Sequence, residues 1–124
     1  MKQRHKVLYV DDESSNLRIF KDTFRRDFEV FTAIPGFDAF DILGQLAVDV
    51  VITDQRIPGM TGVDLLCEIS KRFSEIPPNR LILSGYMEDE HIKEAFEKYK
   101  LSRFVPKPWN YVELLEIINK TIKT

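Results

Sequence analysis

The sequence predicts a single α/β domain, with a doubly wound, five-stranded parallel sheet covered by helices on both faces. Five short apolar runs alternate with segments whose apolar residues recur every three or four positions, the order typical of such sheets. The connections are short, and no repeat or linker divides residues 1–124. A chain of 124 residues with 44% hydrophobic and 31% charged residues can form one domain with its own core.

The predicted strands are the five apolar runs. The third is the most apolar, so we expect it at the centre of the sheet, covered on both faces. The second run is weaker and the fifth is short. In chain order the predicted strands are residues 7–10, 29–33, 50–53, 81–83 and 104–105.

A helix is predicted after each strand, from apolar residues at helical spacing. Ser14 or Ser15 is expected to cap the first helix at its N-terminus. The apolar positions are, helix by helix, Leu17, Phe20, Phe24 and Phe28; Ala39, Phe40, Leu43 and Ala47; Leu65, Leu66, Ile69 and Phe73; Ile92, Ala95, Phe96 and Tyr99; and Val112, Leu115, Ile118 and Ile122.

Charge and composition argue against several classes of function. A formal net charge of -2 does not favour nucleic acid or membrane surfaces as partners. The cationic start is followed by too short an apolar stretch for a signal peptide, and no run is long enough to span a membrane, so we expect a cytoplasmic protein. The single cysteine, Cys67, excludes an internal disulfide and a cysteine zinc cluster.

Polar residues follow four of the five predicted strands. Asp11 and Asp12 follow the first strand, Asp54 the third, Ser84 the fourth and Lys107 the fifth. The carboxyl ends of parallel strands share one edge of the sheet, where ligands bind. Each residue alone is more often a cap or a turn residue, but their joint placement indicates a functional site.

The residue types at this edge suit a hard cation and a phosphoryl group. Three clustered carboxylates repel one another and stay ionised when a cation lies among them. Mg²⁺ prefers such oxygen ligands, whereas His5 and His91 are isolated and do not indicate zinc or copper. Lys107 could bind phosphate oxygens, and Ser84 could donate a hydrogen bond to them. A carboxylate can also be the nucleophile that forms an aspartyl phosphate.

In order and spacing, these motifs resemble the receiver domain of two-component response regulators, from about Val7 to Ile122. The resemblance implies a flavodoxin-like (βα)5 fold and a switch activated by phosphorylation. The motifs are Val10-Asp11-Asp12-Glu13, Thr53-Asp54 with Pro58 and Gly62, Ser84-Gly85, and Phe104-Val105-Pro106-Lys107-Pro108.

The resemblance also implies a role for each site residue. Asp54 is the expected phosphoacceptor, and Mg²⁺ is expected on Asp12, on Asp54, on the backbone carbonyl of Arg56 and, through water, on Asp11. Ser84 and Lys107 are expected to turn towards the phosphoryl group, and the Lys107–Pro108 bond is cis in many relatives. Phe104 takes the position of the switch aromatic. Arg56 and Tyr86 border the path of the hydrolytic water, and their bulk predicts slow autodephosphorylation.

The implied partners are a histidine kinase or phosphotransfer protein as the phosphoryl donor, and an output domain or protein target. The target, or a second copy in a homodimer, would bind the output face, formed by the fourth predicted helix, the fifth predicted strand and the fifth predicted helix. The chain could be a stand-alone regulator or part of a longer protein. The motifs around Asp54, Ser84 and Lys107 slightly favour the second, because they resemble receivers that precede other domains.

Two other functions remain open on the sequence alone. A phosphatase of the haloacid-dehalogenase type also uses an aspartyl phosphate, although no cap domain is predicted to shape a substrate pocket. A flavin- or nucleotide-binding domain could share the sheet, but no glycine-rich phosphate loop follows the first strand. Turnover of small phosphomonoesters, or retention of a flavin or nucleotide, would distinguish these functions from a switch.

Overall fold

The five predicted strands form one parallel sheet, and each predicted boundary lies within one residue of the observed one. A computed structural model describes residues 4–35, 37–57, 60–73, 79–84 and 103–123. Two further short strands, paired antiparallel to each other, follow the third strand of the sheet. The strands are β1 Lys6–Val10, β2 Glu29–Ala33, β3 Val50–Asp54, β4 Arg56–Ile57, β5 Met60–Thr61, β6 Arg80–Ser84 and β7 Arg103–Pro106.

The strand order places β3 at the centre, as predicted. The sheet runs β2-β1-β3-β6-β7, with β4 and β5 paired separately. All five residues of β3 are buried. The chain order reverses between β1 and β3, and their carboxyl ends carry Asp11 and Asp54.

Helices cover both faces of the sheet. The described helices are α1 Ser14–Phe24, α2 Phe37–Gln45, α3 Gly62–Arg72 and α4 Tyr111–Lys123. The helix predicted around Ile92, Ala95, Phe96 and Tyr99 lies outside the described residues. No described helix has the length and apolar character needed to cross a membrane.

The core consists of two apolar clusters, one on each face of the sheet. On one face α2 and α3 pack through residues such as Leu43 and Ile69. On the other face α1 and α4 pack through Phe20, Phe24 and Ile118. Because both faces of the sheet are buried, the sequences of its strands are continuous apolar runs and do not alternate between apolar and polar residues.

The predicted serine cap of α1 is wrong. Glu13 occupies the cap position, and no side chain caps the helix. Ser14 is already the first helical residue, because the Asp11 carboxylate accepts the N–H of Glu13 and so sets the exit of the chain from β1. Phe28 and Ala47 lie beyond the ends of α1 and α2, with Phe28 buried and Ala47 exposed.

The buried face of α4 also differs from the prediction. Val112 is 68% exposed, whereas Leu114 and Ile118 are buried. Leu114 and Leu115 are adjacent, so two overlapping helical patterns share Ile118, and the sequence pattern alone does not choose between them. Leu115 and Ile122 are partly buried beside the α1–α4 cluster.

Candidate functional site

The centre of the carboxyl edge is Asp54, the last residue of β3, which is only 8% exposed. The next residue, Gln55, ties this strand end to α3: its carbonyl accepts the N–H of Gly62, and its Oε1 accepts the N–H of Val63 at 3.0 Å. Thr61 and Asp64 form a capping box at the start of α3. The end of β3 is therefore fixed by the helix that follows it.

Gly62 allows α3 to start against the backbone of Asp54. A Cβ atom at this position would lie 2.6 Å from the carbonyl oxygen of Asp54 and 3.1 Å from Cα of Gln55. No side chain fits there without a shift of the backbone. The glycine of the sequence motif thus has a steric reason beside the predicted phosphoacceptor.

Lys107 meets Asp54 across the sheet edge. The ammonium group donates a hydrogen bond to Asp54 Oδ2 in an ion pair. The Lys107–Pro108 bond is cis, as the resemblance implied. The structure therefore brings together the ends of β3 and β7.

Asp11 lies at the end of the neighbouring strand and is 1% exposed. Its Oδ2 accepts hydrogen bonds from the Tyr9 hydroxyl at 2.7 Å and from Asn16 Nδ2 at 3.3 Å. Its Oδ1 accepts the N–H of Glu13 at 3.1 Å. These donors fix a carboxylate that would be costly to bury without partners.

Tyr9 is a site residue that the sequence analysis missed. Burial raises the pKa of its hydroxyl, and the hydrogen bond to Asp11 and the negative charges of Asp11, Asp54 and Glu13 raise that pKa further. The hydroxyl therefore remains a donor at neutral pH. A signal was available, because alternate residues of a strand share a face and a tyrosine two positions before an aspartate can reach it.

A cavity of about 450 Å³ opens beside this group of residues, between α1 and the segment after β7. It is lined by Tyr9, Asn16, Ile19, Lys107, Pro108 and Trp109. Trp109 packs against Phe24, with ring centroids 5.6 Å apart. The cavity gives the Lys107 side of the edge an open approach.

The remaining predicted residues are less closely placed. Asp12 is exposed just after β1, and Ser84 ends β6 opposite Pro106. Phe104 pairs with Ile82 and packs, partly buried, against the α2–α3 cluster.

The other predicted residues are only partly described. Arg56 begins β4. Tyr86 lies outside the described residues, as do Pro58, Gly85 and His91. His5 lies at the opposite edge, 3.5 Å from Asp49, as expected for a residue away from the site.

The donors at this edge fit a hard cation by type. Asp11, Asp12 and Asp54 offer carboxylate oxygens, the ligands that Mg²⁺ prefers. Within the described ranges, however, no three His, Cys, Asp or Glu side chains are grouped so that they could hold a metal ion as they stand. Asp54 forms an ion pair with Lys107, and Asp12 is exposed to solvent.

Comparison with known proteins identifies the family of this chain. The family model of the response regulator receiver domain matches residues 7–119. The chain is 32% identical to the hydrogenase transcriptional regulatory protein HoxA of Cupriavidus necator over 94% of the chain, but spans only 24% of that protein. It is 31% identical to sporulation initiation phosphotransferase F of Bacillus subtilis, over 93% of the chain and 91% of that protein.

Solved structures show the same fold. A response regulator receiver domain protein from Clostridium thermocellum superposes with a TM-score of 0.83 at 30% identity, covering 96% of this chain and 94% of the other. The chemotaxis protein CheY4 of Vibrio cholerae gives a TM-score of 0.84 at 26% identity, covering 95% and 98%. The family model and these relatives show that the chain belongs to the receiver domain family of response regulators.

Proposed function

We propose that this receiver domain is a switch that accepts a phosphoryl group on Asp54 from a histidine kinase or a phosphotransfer protein. The observation that carries the proposal is the ion pair between Asp54 and Lys107 at the end of the central strand, beside the buried Asp11. A buried nucleophile with an adjacent cation suits the transfer of an anionic group. We also propose a cytoplasmic location, where such donors act.

Phosphoryl transfer would begin with Asp54. One carboxylate oxygen attacks phosphorus, a new O–P bond forms, and the bond between phosphorus and the donor breaks with its electron pair leaving on the donor. Lys107 already contacts Asp54 Oδ2 and would follow the charge onto the phosphoryl oxygens. Ser84, at the end of the adjacent strand β6, would donate a further hydrogen bond.

We propose that Asp11, Asp12, Asp54 and the backbone carbonyl of Arg56 hold Mg²⁺. The bound cation would offset the charge of the clustered carboxylates and of the phosphoryl group. The exposed Asp12 can turn inward without disturbing the core, because it lies just beyond the end of β1. The residues fit this ion by their oxygen chemistry.

The signal would pass from the edge through β6 and β7. Ser84 pairs with Pro106 and Ile82 with Phe104 in the same ladder, so a shift of Ser84 and Lys107 would be passed to Phe104 along β6 and β7. Phe104 would then change its packing against the α2–α3 cluster. The output face, of which β7 and α4 are described, would bind an output domain, a protein target or a second copy.

The phosphorylated state is proposed to decay slowly, because Arg56 and Tyr86 would obstruct the in-line water. The double variant Arg56→Asn with Tyr86→Ala should lose the phosphoryl group faster than the wild type. Loss of the group after removal of the donor can be followed by intact mass. An unchanged rate would refute this role of the two side chains.

The proposed function is tested by intact mass after incubation with Mg²⁺ and acetyl phosphate. We expect a gain of one phosphoryl group that is absent with EDTA and is removed by hydroxylamine, as for an acyl phosphate. A folded protein that gains no mass would overturn the proposal. Sustained hydrolysis of p-nitrophenyl phosphate would instead favour the phosphatase.

A further inference from the structure

Asp11 is held by a tyrosine whose side chain has little freedom to move. Tyr9 is buried, and its ring stacks on Phe20 with centroids 4.2 Å apart and planes 13° apart. Phe20 is itself packed against Phe24 and Trp109. The hydroxyl is therefore fixed on Asp11 Oδ2 by packing on the α1–α4 face of the sheet.

The hydrogen bonds of Asp11 leave its two oxygens in different states. An ionised carboxylate has about four acceptor positions. Two described donors, Tyr9 and Asn16, occupy Oδ2, and one, the N–H of Glu13, occupies Oδ1. The acceptor position that these donors leave open is on Oδ1. One open position suits a carboxylate that binds a cation through a single water.

We propose that Tyr9 is a positioning residue for the cation: its hydroxyl occupies Asp11 Oδ2 and so commits Oδ1 to Mg²⁺ or to a water of its shell. This inference rests on the proposed function of the edge and extends it to a residue outside the acidic motif. Hydrogen bonds behind a metal ligand orient that ligand, and their loss typically weakens metal affinity. The contact with Asn16 is longer, at 3.3 Å, and makes a smaller contribution.

The test measures Mg²⁺ affinity by isothermal titration calorimetry in Tyr9→Phe, which keeps the ring and its stacking but removes the donor. We expect the dissociation constant for Mg²⁺ to rise about tenfold. In acetyl phosphate reactions, the Mg²⁺ concentration for half-maximal rate should rise by the same factor, while the rate at saturating Mg²⁺ is retained. A purely structural role would not produce this separation.

The chain offers a matched control. Tyr111→Phe removes a hydroxyl that also donates to an aspartate, Asp27, at 3.0 Å, but on the exposed surface at the start of α4. Its Mg²⁺ affinity should equal that of the wild type. In the Asp11→Asn background, Tyr9→Phe should cause no further loss of Mg²⁺ affinity, because the carboxylate that Tyr9 positions is gone.

The outcomes separate this inference from the proposed function. Equal Mg²⁺ affinity in wild type and Tyr9→Phe, with normal phosphorylation of both, would overturn the role of Tyr9 alone. A wild-type protein that binds no Mg²⁺ would overturn both. If Tyr9→Phe does not fold, Asn16→Ala removes the second donor to Oδ2. We then expect a smaller loss of Mg²⁺ affinity, and an unchanged affinity would overturn the inference.

Discussion

The two edges of the parallel sheet both carry acids beside basic residues, but the acids differ in burial and in their hydrogen bonds. At the amino edge, Lys6 lies 3.8 Å from Glu29 and His5 lies 3.5 Å from Asp49, and the Asp49 side chain is 41% exposed. At the carboxyl edge, Lys107 contacts Asp54, whose side chain is 11% exposed. The acids of the amino-edge pairs are open to water, whereas Asp54 is largely shielded from it; Lys6 and Lys107 are similarly exposed, at 26% and 32%.

The hydrogen bonds of the two acids show what this difference means. Asp49 Oδ2 accepts the backbone N–H of Lys6 at 2.7 Å, and its carbonyl accepts Asn79 Nδ2 at 3.0 Å. These contacts join the starts of β1, β3 and β6. Asp54 instead meets an ammonium group beside a second buried carboxylate. Burial, a neighbouring buried carboxylate and an apposed lysine thus distinguish Asp54 from Asp49, and these are the features on which the proposed site depends.

The largest effect should follow the removal of the cation at the carboxyl edge. Lys107→Ala is expected to slow phosphoryl gain from acetyl phosphate about a hundredfold, because the charge developing on the phosphoryl oxygens loses its counter-ion. The matched change at the amino edge, Lys6→Ala, should leave the initial rate unchanged. Equal rates in the two variants would remove the distinction between the edges.

A pair of glycines tests how closely each edge is packed. Gly62→Ala would place Cβ 2.6 Å from the carbonyl oxygen of Asp54, and we expect a loss of about 2 kcal/mol of unfolding free energy and slower phosphorylation. Gly44 lies in the last turn of α2, before β3, with no atom within 4 Å of an added Cβ. Gly44→Ala should therefore raise the free energy of unfolding by about 0.5 to 1 kcal/mol.

Urea unfolding measures both glycine variants. Similar stability changes at the two positions would contradict the close approach of α3 to Asp54.

The acid of the amino edge should matter for stability alone. Asp49→Ala removes the acceptor of the Lys6 N–H, and we expect a loss of about 1 kcal/mol. The rate of phosphorylation should not change. Thermal unfolding and intact mass on the same preparation check the two parts, and a slowed reaction would show that the amino edge contributes to the site.

The smallest effect is expected for the ion pair of Lys6 and Glu29. Both side chains are partly exposed, so the double change to glutamine should alter the unfolding free energy by less than about 0.5 kcal/mol. Urea unfolding at low and high salt gives the value. A larger, salt-dependent loss would mean that amino-edge pairs are more than surface contacts.

The sequence predicted the sheet well because its strands are buried on both faces and are therefore apolar throughout. It also predicted the strand ends that carry Asp54 and Lys107, since each follows an apolar run directly. It did not predict the face of α4, where Leu114 and Leu115 allow two patterns. Nor did it predict the contact of Tyr9 with Asp11. In the sequence Tyr9 is one more apolar position of β1, and only the stacking of its ring on Phe20 shows where the hydroxyl lies.

The most direct test of the difference between the edges compares Asp54→Asn with Asp49→Asn after incubation with Mg²⁺ and acetyl phosphate. Each variant replaces one carboxylate with an amide of the same shape, either Asp54 at the end of β3 or Asp49 directly before its start. We expect no phosphoryl mass on Asp54→Asn and a wild-type gain on Asp49→Asn. A phosphoryl gain on folded Asp54→Asn equal to that of the wild type would contradict this expectation.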